Sequence, residues 1–303
     1  MRRKNRFQRD ERRERVAGYL FVGPTLVGLL FFSVLPLILT LILSFTQWDM
    51  VSGFGSIKFI GLNNFLKLLR DDGFVSSFKN NLLFAFITIP IQLTFGFLLA
   101  YIINHYCYAK NLFKLIYFLP YISSIVAIAS VWRFLLQPSF GPVNSFLMSI
   151  GISEPPKWLA DTRWSLLSIA LMYSWQNISF DMIIYLAGLQ TVPRDLYEAA
   201  DIDGVSGFQK ITLITLPLIA PTTFFLLIVE IMSSFRVFDQ IQFLTQGGPG
   251  NSSSVLVYHL YRMSFRYYRF GYGSSIALIM FVLIFVITYF YWQSRKRWSE
   301  ITL

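Results

Sequence analysis

Val192 to Ile219 reads VPRDLYEAADIDGVSGFQKITLITLPLI, a polar stretch set between two apolar runs. Asp195 to Ile202 has helical composition. Pro193 suits a first helical turn, and Asp195 suits the positive end of the helix dipole. Gly204 can end that helix in a backbone conformation closed to other residues. Ser206 followed by Gln209 is a capping box, so a second helix is expected to start there and run into the next apolar segment. The result is a short helix, a glycine bend and a second helix, with Leu196, Ala199, Ala200 and Ile202 available for contact. Two readings fit this pattern: a helix gripped in a partner's groove, or an interfacial helix lying on a membrane.

Outward from this loop the chain is apolar. Its 303 residues are 55% hydrophobic and 14% charged, with mean hydropathy +0.55, more apolar material than a soluble core of this length could hide. At roughly 20 apolar residues per crossing, about six helical spans are expected. They fall near Tyr19 to Phe45, Leu82 to Ile103, Leu115 to Trp132, Leu166 to Leu186, Leu213 to Phe235 and Ile276 to Trp292. The fold class is therefore an all-α membrane protein, a helical bundle occupying residues 17–294 with no internal repeat. Basic residues gather in the tail 1–16, from Arg2 to Arg15, and in the tail 295–303, at Arg295, Lys296 and Arg297. The excess of Lys and Arg places both tails in the cytoplasm, along with the loop at about 192–212. Residues 46–81, 137–163 and 237–272 are then external. Pro24, Pro36, Pro90, Pro120, Pro217 and Pro221 fall inside spans, where each deletes a helix hydrogen bond and favours a kink.

Several functions drop out. The net charge of +10 flanks apolar segments, as membrane topology requires, so no nucleic-acid partner is expected. One cysteine, Cys107, and two histidines, His105 and His259, cannot assemble a His/Cys metal cluster, and no metal site is expected. No lysine is followed by Ser or Thr, so the chain has no P-loop. The first apolar run is too long for a signal-peptide core and reads as a retained span.

Glu198, Ala199, Ala200, Gly204, Ile214, Leu216 and Pro217 reproduce the Glu-Ala-Ala, Gly, Ile-x-Leu-Pro spacing of one family. By that motif the chain resembles the membrane-spanning permeases of binding-protein-dependent ABC importers. Thr245-Gln246-Gly247-Gly248-Pro249 resembles the Thr-x-Gly-Gly-Pro external loop of maltose-type sugar permeases. Gly61-Leu62-Asn63-Asn64-Phe65, Gly141-Pro142-Val143-Asn144 and Ala187-Gly188-Leu189-Gln190 extend the likeness over nearly the whole chain after the basic tail. The chain departs from the larger maltose subunit in lacking its extra leading spans and large external insert.

The resemblance implies a six-transmembrane-helix type I importer permease in a bacterial or archaeal inner membrane. It also implies that the Glu198 helix, with Asp201, docks on a cytoplasmic ATPase and passes its motion to the spans. The implied partners are a second homologous permease, two ATPase subunits and an extracytoplasmic solute-binding protein. No cofactor is expected in this chain, ATP and Mg being bound by the ATPases, and the chain is not itself an enzyme.

Ionisable residues inside spans are costly and mark solute paths or buried pairs. Asp181 and Glu230 flank the cytoplasmic loop at similar depth, with Asn177 and Phe180 beside the first, Ser233 and Ser234 beside the second. Such side chains suit sugar hydroxyls and the apolar face of a sugar ring, and the resemblance points to the same helices for the pocket. The competing expectation pairs Asp181 or Glu230 with Arg133 or Arg236. A carbohydrate is the expected solute. The alternatives are an ion-coupled secondary transporter, or an importer permease for a non-sugar solute such as glycerol phosphate.

Overall fold

The computed structural model describes the backbone of residues 2–299 and the side chains of residues 14 and 17–293. The basic side chains expected in 2–13, at 15 and in 295–297 lie outside the described residues. The chain divides into two compact units, Met1–Leu66 with Met263–Leu278, and Lys67–Arg262 with Ile279–Leu303.

In the first unit, α1 (Arg2–Leu29) passes through a π-helical turn, Leu30–Val34, into α2 (Leu35–Ser44). Ala17–Ser44 is long and apolar enough to cross a membrane, and its side chains are almost all exposed, as expected of a lipid-facing span. A short antiparallel hairpin follows, β1 (Thr46–Gln47) paired with β2 (Lys58–Phe59), Thr46 opposite Phe59. It leads to α3 (Asn63–Leu68). Asn64 is buried, and its Nδ2 donates to the Ser44 carbonyl (3.0 Å) and the Thr46 carbonyl (2.8 Å), stapling the end of the span to the hairpin.

The second unit is built on α4 (Asp72–Tyr106), α5 (Lys110–Ile122), α6 (Ile125–Leu135), α7 (Pro142–Ser149) and α8 (Ser165–Leu189). Then come α9 (Arg194–Ile202), α10 (Gly207–Lys210), α11 (Leu216–Leu218), α12 (Ala220–Ser234), α13 (Asp239–Leu244) and α14 (Leu256–Tyr261). The final helix, α15 (Phe270–Ser299), begins in the first unit and ends in the second. Asp71 caps α4 by accepting from the backbone N–H groups of Gly73 and Phe74. One buried cluster gathers Phe84, Ile169, Met172, Val237, Ile241 and Tyr258. A second gathers Phe97, Ala100, Met182, Tyr185, Ile219 and Leu226.

Among the described residues, three helices cross by length and composition alone: Ala17–Ser44, Asp72–Tyr106 and Phe270–Gln293. The expected third and fifth spans are bent. Lys110–Ile122 meets Ile125–Leu135 at 90°, and Gly207–Leu218 meets Ala220–Ser234 at 68°. The second bend follows from two prolines: Pro221 has no N–H to give the Pro217 carbonyl, so the ladder fails around Ile219. The expected fourth span is α8, whose 25 residues reach roughly 37 Å. It is polar because it is enclosed by protein: Ser165, Ser168, Ser174, Gln176, Ser179 and Asp181 are all buried. Gln176 donates to the Pro120 carbonyl at 3.4 Å and Ser179 to the Tyr117 carbonyl.

Candidate functional site

The loop between α8 and α12 forms as its residues dictate. Pro193 takes the capping position before α9, one residue earlier than a first-turn placement, with extended ψ of 134°. Gly204 has φ +71°, and nothing lies within 4 Å of where a Cβ would stand. The Ser206–Gln209 capping box is complete in both directions. Across the bend, Lys210 donates to the Asp201 carboxylate, and the Tyr197 and Thr215 hydroxyls bond at 2.8 Å. The Val205 N–H donates to the Ala200 carbonyl at 2.9 Å. These links join α9 to the segment running from α10 through the π-helical turn Ile211–Thr215 to α11.

Leu196, Glu198, Ala199 and Ile202 are exposed, Ile202 at 88%. Ala200, expected on the contact face, is instead buried at 7% exposure. Ala200 turns toward the bundle, while Glu198 and Ala199 before it are exposed. Ile214 packs against the second core cluster, and Leu216 and Pro217 form the first turn of α11, just before the 68° break. A cavity of about 620 Å³ opens beside α9, with Tyr101, His105, Lys110, Arg194, Tyr197 and Glu198 among its walls.

Deeper in the unit, Asp181 is buried where α4 packs tightly on α8: a Cβ on Gly96 would stand 2.6 Å from the Asp181 Cβ. Asp181 and Glu230 interact with each other rather than with Arg133 or Arg236, and both arginines are exposed. The expected arginine pairs are therefore not formed. Neither Asp181 oxygen has a hydrogen-bond partner of normal geometry, nor do the Gln92 amide atoms or the Ser174 hydroxyl. Asn177, Phe180 and Ser233 keep partial exposure. Asn177 donates to the Tyr173 carbonyl at 2.8 Å, and Phe180 stacks on Tyr121 with ring centres 5.6 Å apart. Ser234 is buried; its hydroxyl donates to Ile231 (2.7 Å) and its carbonyl accepts from Asn81 (3.1 Å).

The Gly247-Gly248-Pro249 loop lies well away in sequence and is pinned to the start of α4. Gly247 has φ +81°, and a Cβ there would meet the Tyr258 ring at 2.7 Å. The Ser253 hydroxyl donates to the Gly248 carbonyl at 2.8 Å. Asn80 donates to the carbonyls of Asn251 (2.8 Å) and Ser254 (2.9 Å), and Ser77 bonds Ser254 at 2.9 Å. His259, beside this loop, lies 3.6 Å from Asp71 and is buried. Burial holds its pKa below the ordinary value, opposed by Asp71 and reinforced by Arg262.

Residues 92–299 match the model of the family described as binding-protein-dependent transport system inner membrane component. The chain belongs to that family. The permease is 31% identical to the lactose transport system permease protein LacF of Rhizobium radiobacter, over 93% of this chain and 95% of that one. Its fold matches a bacterial ABC transporter involved in the import of the acidic polysaccharide alginate. That match has TM-score 0.84 and 28% identity, over 96% of this chain and 99% of the other. A second structure, the alginate transporter in complex with an alginate pentasaccharide-bound periplasmic protein, matches with TM-score 0.80 at 28% identity, covering 93% and 94%.

Within the permease the structure gives the family-like stretches a physical meaning. Asn144, like Asn64, is buried and donates to two carbonyls, Pro138 (3.0 Å) and Pro156 (3.1 Å), while accepting from the Trp158 indole (2.6 Å). Gly188 allows α8 to meet α12, since a Cβ would stand 2.6 Å from the Thr222 hydroxyl. Gln92, Ser77, Asn80 and Asn81 were not singled out by sequence reasoning. Their one signal is a polar amide or hydroxyl within an apolar run.

Proposed function

We propose that the permease carries a carbohydrate into a bacterial or archaeal cytoplasm, both its termini cytoplasmic, using ATP hydrolysed by two separate ATPase subunits that also hold the Mg. It pairs with a second, homologous permease and receives solute from an extracytoplasmic solute-binding protein. The chain itself holds no cofactor and performs no catalysis. The observation that carries this reading is α9: Glu198 and Ala199 are presented outward on a helix tied through Asp201–Lys210 and Tyr197–Thr215 to the segment entering the fifth span.

The coupling residues are Glu198, Ala199, Ala200, Asp201, Gly204, Ile214, Leu216 and Pro217. Glu198 and Ala199 meet the ATPase, Ala200 seats the helix on the bundle, and Asp201 fixes it to α10. Gly204 makes the bend, and Ile214, Leu216 and Pro217 transmit its motion to the break at Ile219.

The solute passes beside Asn177, Phe180 and Ser233, with Asp181, Glu230 and Ser234 behind them. Buried polar atoms are almost always hydrogen-bonded, so the unmet capacity of Asp181, Gln92 and Ser174 is suited to a solute rich in hydroxyls. The Phe180–Tyr121 stack offers an aromatic face for a sugar ring. Lactose and alginate, named for the relatives, are both carbohydrates. Gly247, Gly248 and Pro249 shape the external loop.

The test is a mild-detergent purification of tagged permease from its own membrane, with co-purifying chains identified and counted. A sister permease with two ATPase copies is expected, and Glu198→Arg should lose the ATPases while keeping the sister permease. A wild-type chain that purifies alone, or a Glu198→Arg complex that retains its ATPases and transports normally, overturns the reading.

A further inference from the structure

The hairpin after the first span and the turn before the last one form a ledge that the transport reading does not use. Both belong to one compact unit. Trp48 packs on Phe270 and stacks on Phe54, with ring centres 5.5 Å apart in each case. The Met50 N–H donates to the Tyr268 carbonyl (3.2 Å) and the Gly271 N–H to the Trp48 carbonyl (3.1 Å). Gly271 sits so close to the Thr46 carbonyl that a Cβ there would overlap it. The hairpin is thus held firmly, yet its tip is apolar and uncovered: Met50, Val51, Phe54 and Phe59 are between 58% and 81% exposed.

Where the ledge sits says what covers it. The first span ends at Ser44, two residues before the hairpin begins, and the last span begins at Phe270, two residues after Tyr268. The ends of membrane-spanning helices lie at the boundary between hydrocarbon and water, where aromatic side chains concentrate. An apolar tip fixed at that level is continuous with the lipid-facing surface of Ala17–Ser44. Its rim is basic: Lys58, Arg266 and Arg269 are exposed around it, against the single acid Asp49 of the tip, whose carboxylate is taken up by the Ser52 N–H at 2.7 Å.

We propose that this ledge is a membrane-interface anchor whose occupant is the headgroup and upper acyl layer of the bilayer. Met50, Val51, Phe54 and Phe59 insert among the lipids, and Lys58, Arg266 and Arg269 bind phosphate groups of anionic phospholipid. Apolar insertion combined with basic side chains is the general chemistry of interfacial anchoring. The anchor fixes the depth of the first and last spans while the rest of the permease moves. It rests on the membrane reading of these two spans and is independent of the solute.

The experiment uses the assembled transporter in lipid nanodiscs. With Cys107→Ser as background, Val51→Cys and, separately, Phe54→Cys carry an environment-sensitive fluorophore, with Glu154→Cys, on an exposed loop, as control. Nitroxide lipids labelled near the headgroup are expected to quench both ledge positions several-fold more than the control. Soluble iodide is expected to quench them several-fold less. Adding anionic phospholipid should deepen the lipid quenching, and the Lys58→Gln, Arg266→Gln, Arg269→Gln triple variant should abolish that increment. Iodide quenching equal to the control would show a water-facing ledge. Protection from both quenchers, or protection that appears only when solute-binding protein is added, would show a protein partner. Any of these results overturns the proposal, and none of them bears on whether ATP-driven uptake occurs.

Discussion

Replacing Gly204 separates backbone strain from contact, because its surroundings are empty. The residue has φ +71° and no atom lies within 4 Å of an added Cβ, so Gly204→Ala meets nothing and costs only the left-handed conformation. That strain is about 1–2 kcal/mol for an L residue with a Cβ, equivalent to roughly a 5–30-fold shift in the equilibrium that forms the bend. Asn tolerates the same region and should cost less. Proline is different in kind: its φ is fixed near −65°, and it removes the N–H that Gly204 donates to the Asp201 carbonyl at 3.2 Å. The bend then cannot form, and the Asp201–Lys210 contact across it is lost. The assay is ATP-driven uptake by proteoliposomes holding equal amounts of assembled complex. The expected order is glycine close to Asn, then Ala, with Pro inactive. An assembled Gly204→Pro complex that retains coupled uptake would refute the role given to the bend, as would an Ala variant as inactive as Pro.

Three further outcomes follow from single contacts. Asn144→Ala leaves the Pro138 and Pro156 carbonyls and the Trp158 indole without their partner, and should lower thermal stability by about 1–3 kcal/mol; Asn144→Asp, which cannot donate, should fare little better. Gly188→Val drives a Cβ toward the Thr222 hydroxyl, an overpacking worth about 1–3 kcal/mol that Thr222→Ala should partly relieve in a melting experiment. His259 has its pKa lowered chiefly by burial, so the unfolded chain binds protons more readily than the folded one. Its contribution is complete above pH about 6.5 and is lost as pH falls from there toward the lower folded value. A series of melts over that range should show the decline, and His259→Gln should flatten it; an unchanged slope in the variant would assign the decline to other groups.

Local rules carried far where the signal was local. The capping box at Ser206 and Gln209 and the glycine at 204 both depend on neighbours a few residues away, and both stand as read. Hydropathy did less for α8, because hydropathy reports what faces lipid. A helix enclosed by protein is free to carry Ser168, Ser174, Gln176 and Asp181, and it fails the apolar test that the outer helices pass. The bends at Ser123 and Ile219 were legible only as prolines, since a proline permits a kink without setting its angle. The pairing of Asp181 and Glu230 was missed because Arg133 and Arg236, near the ends of the third and fifth spans, offered opposite charges, whereas both point outward. Asn64 and Asn144 lay within stretches already noticed, but a side-chain amide declares its two carbonyl partners only when the loops around it are folded.

The Gly188–Thr222 contact explains why the two carboxyls meet. It locks the C-terminal end of α8 to the N-terminal end of α12, on either side of the loop that carries α9. Asp181 lies seven residues back along α8 and Glu230 eight residues on along α12, so both stand roughly 10–12 Å from the lock at helical rise. Equal heights on two helices joined at one end bring the side chains together. On the proposed reading, a displacement of α9 reaches α12 both through the 68° break at Ile219 and through the Gly188–Thr222 contact with α8. On that reading the two helices move as a pair and carry the Asp181–Glu230 contact with them. A valine at 188 should accordingly reduce ATP-driven uptake beyond any loss of assembled complex. Uptake per complex that matched wild type in that variant would show that the lock serves packing alone.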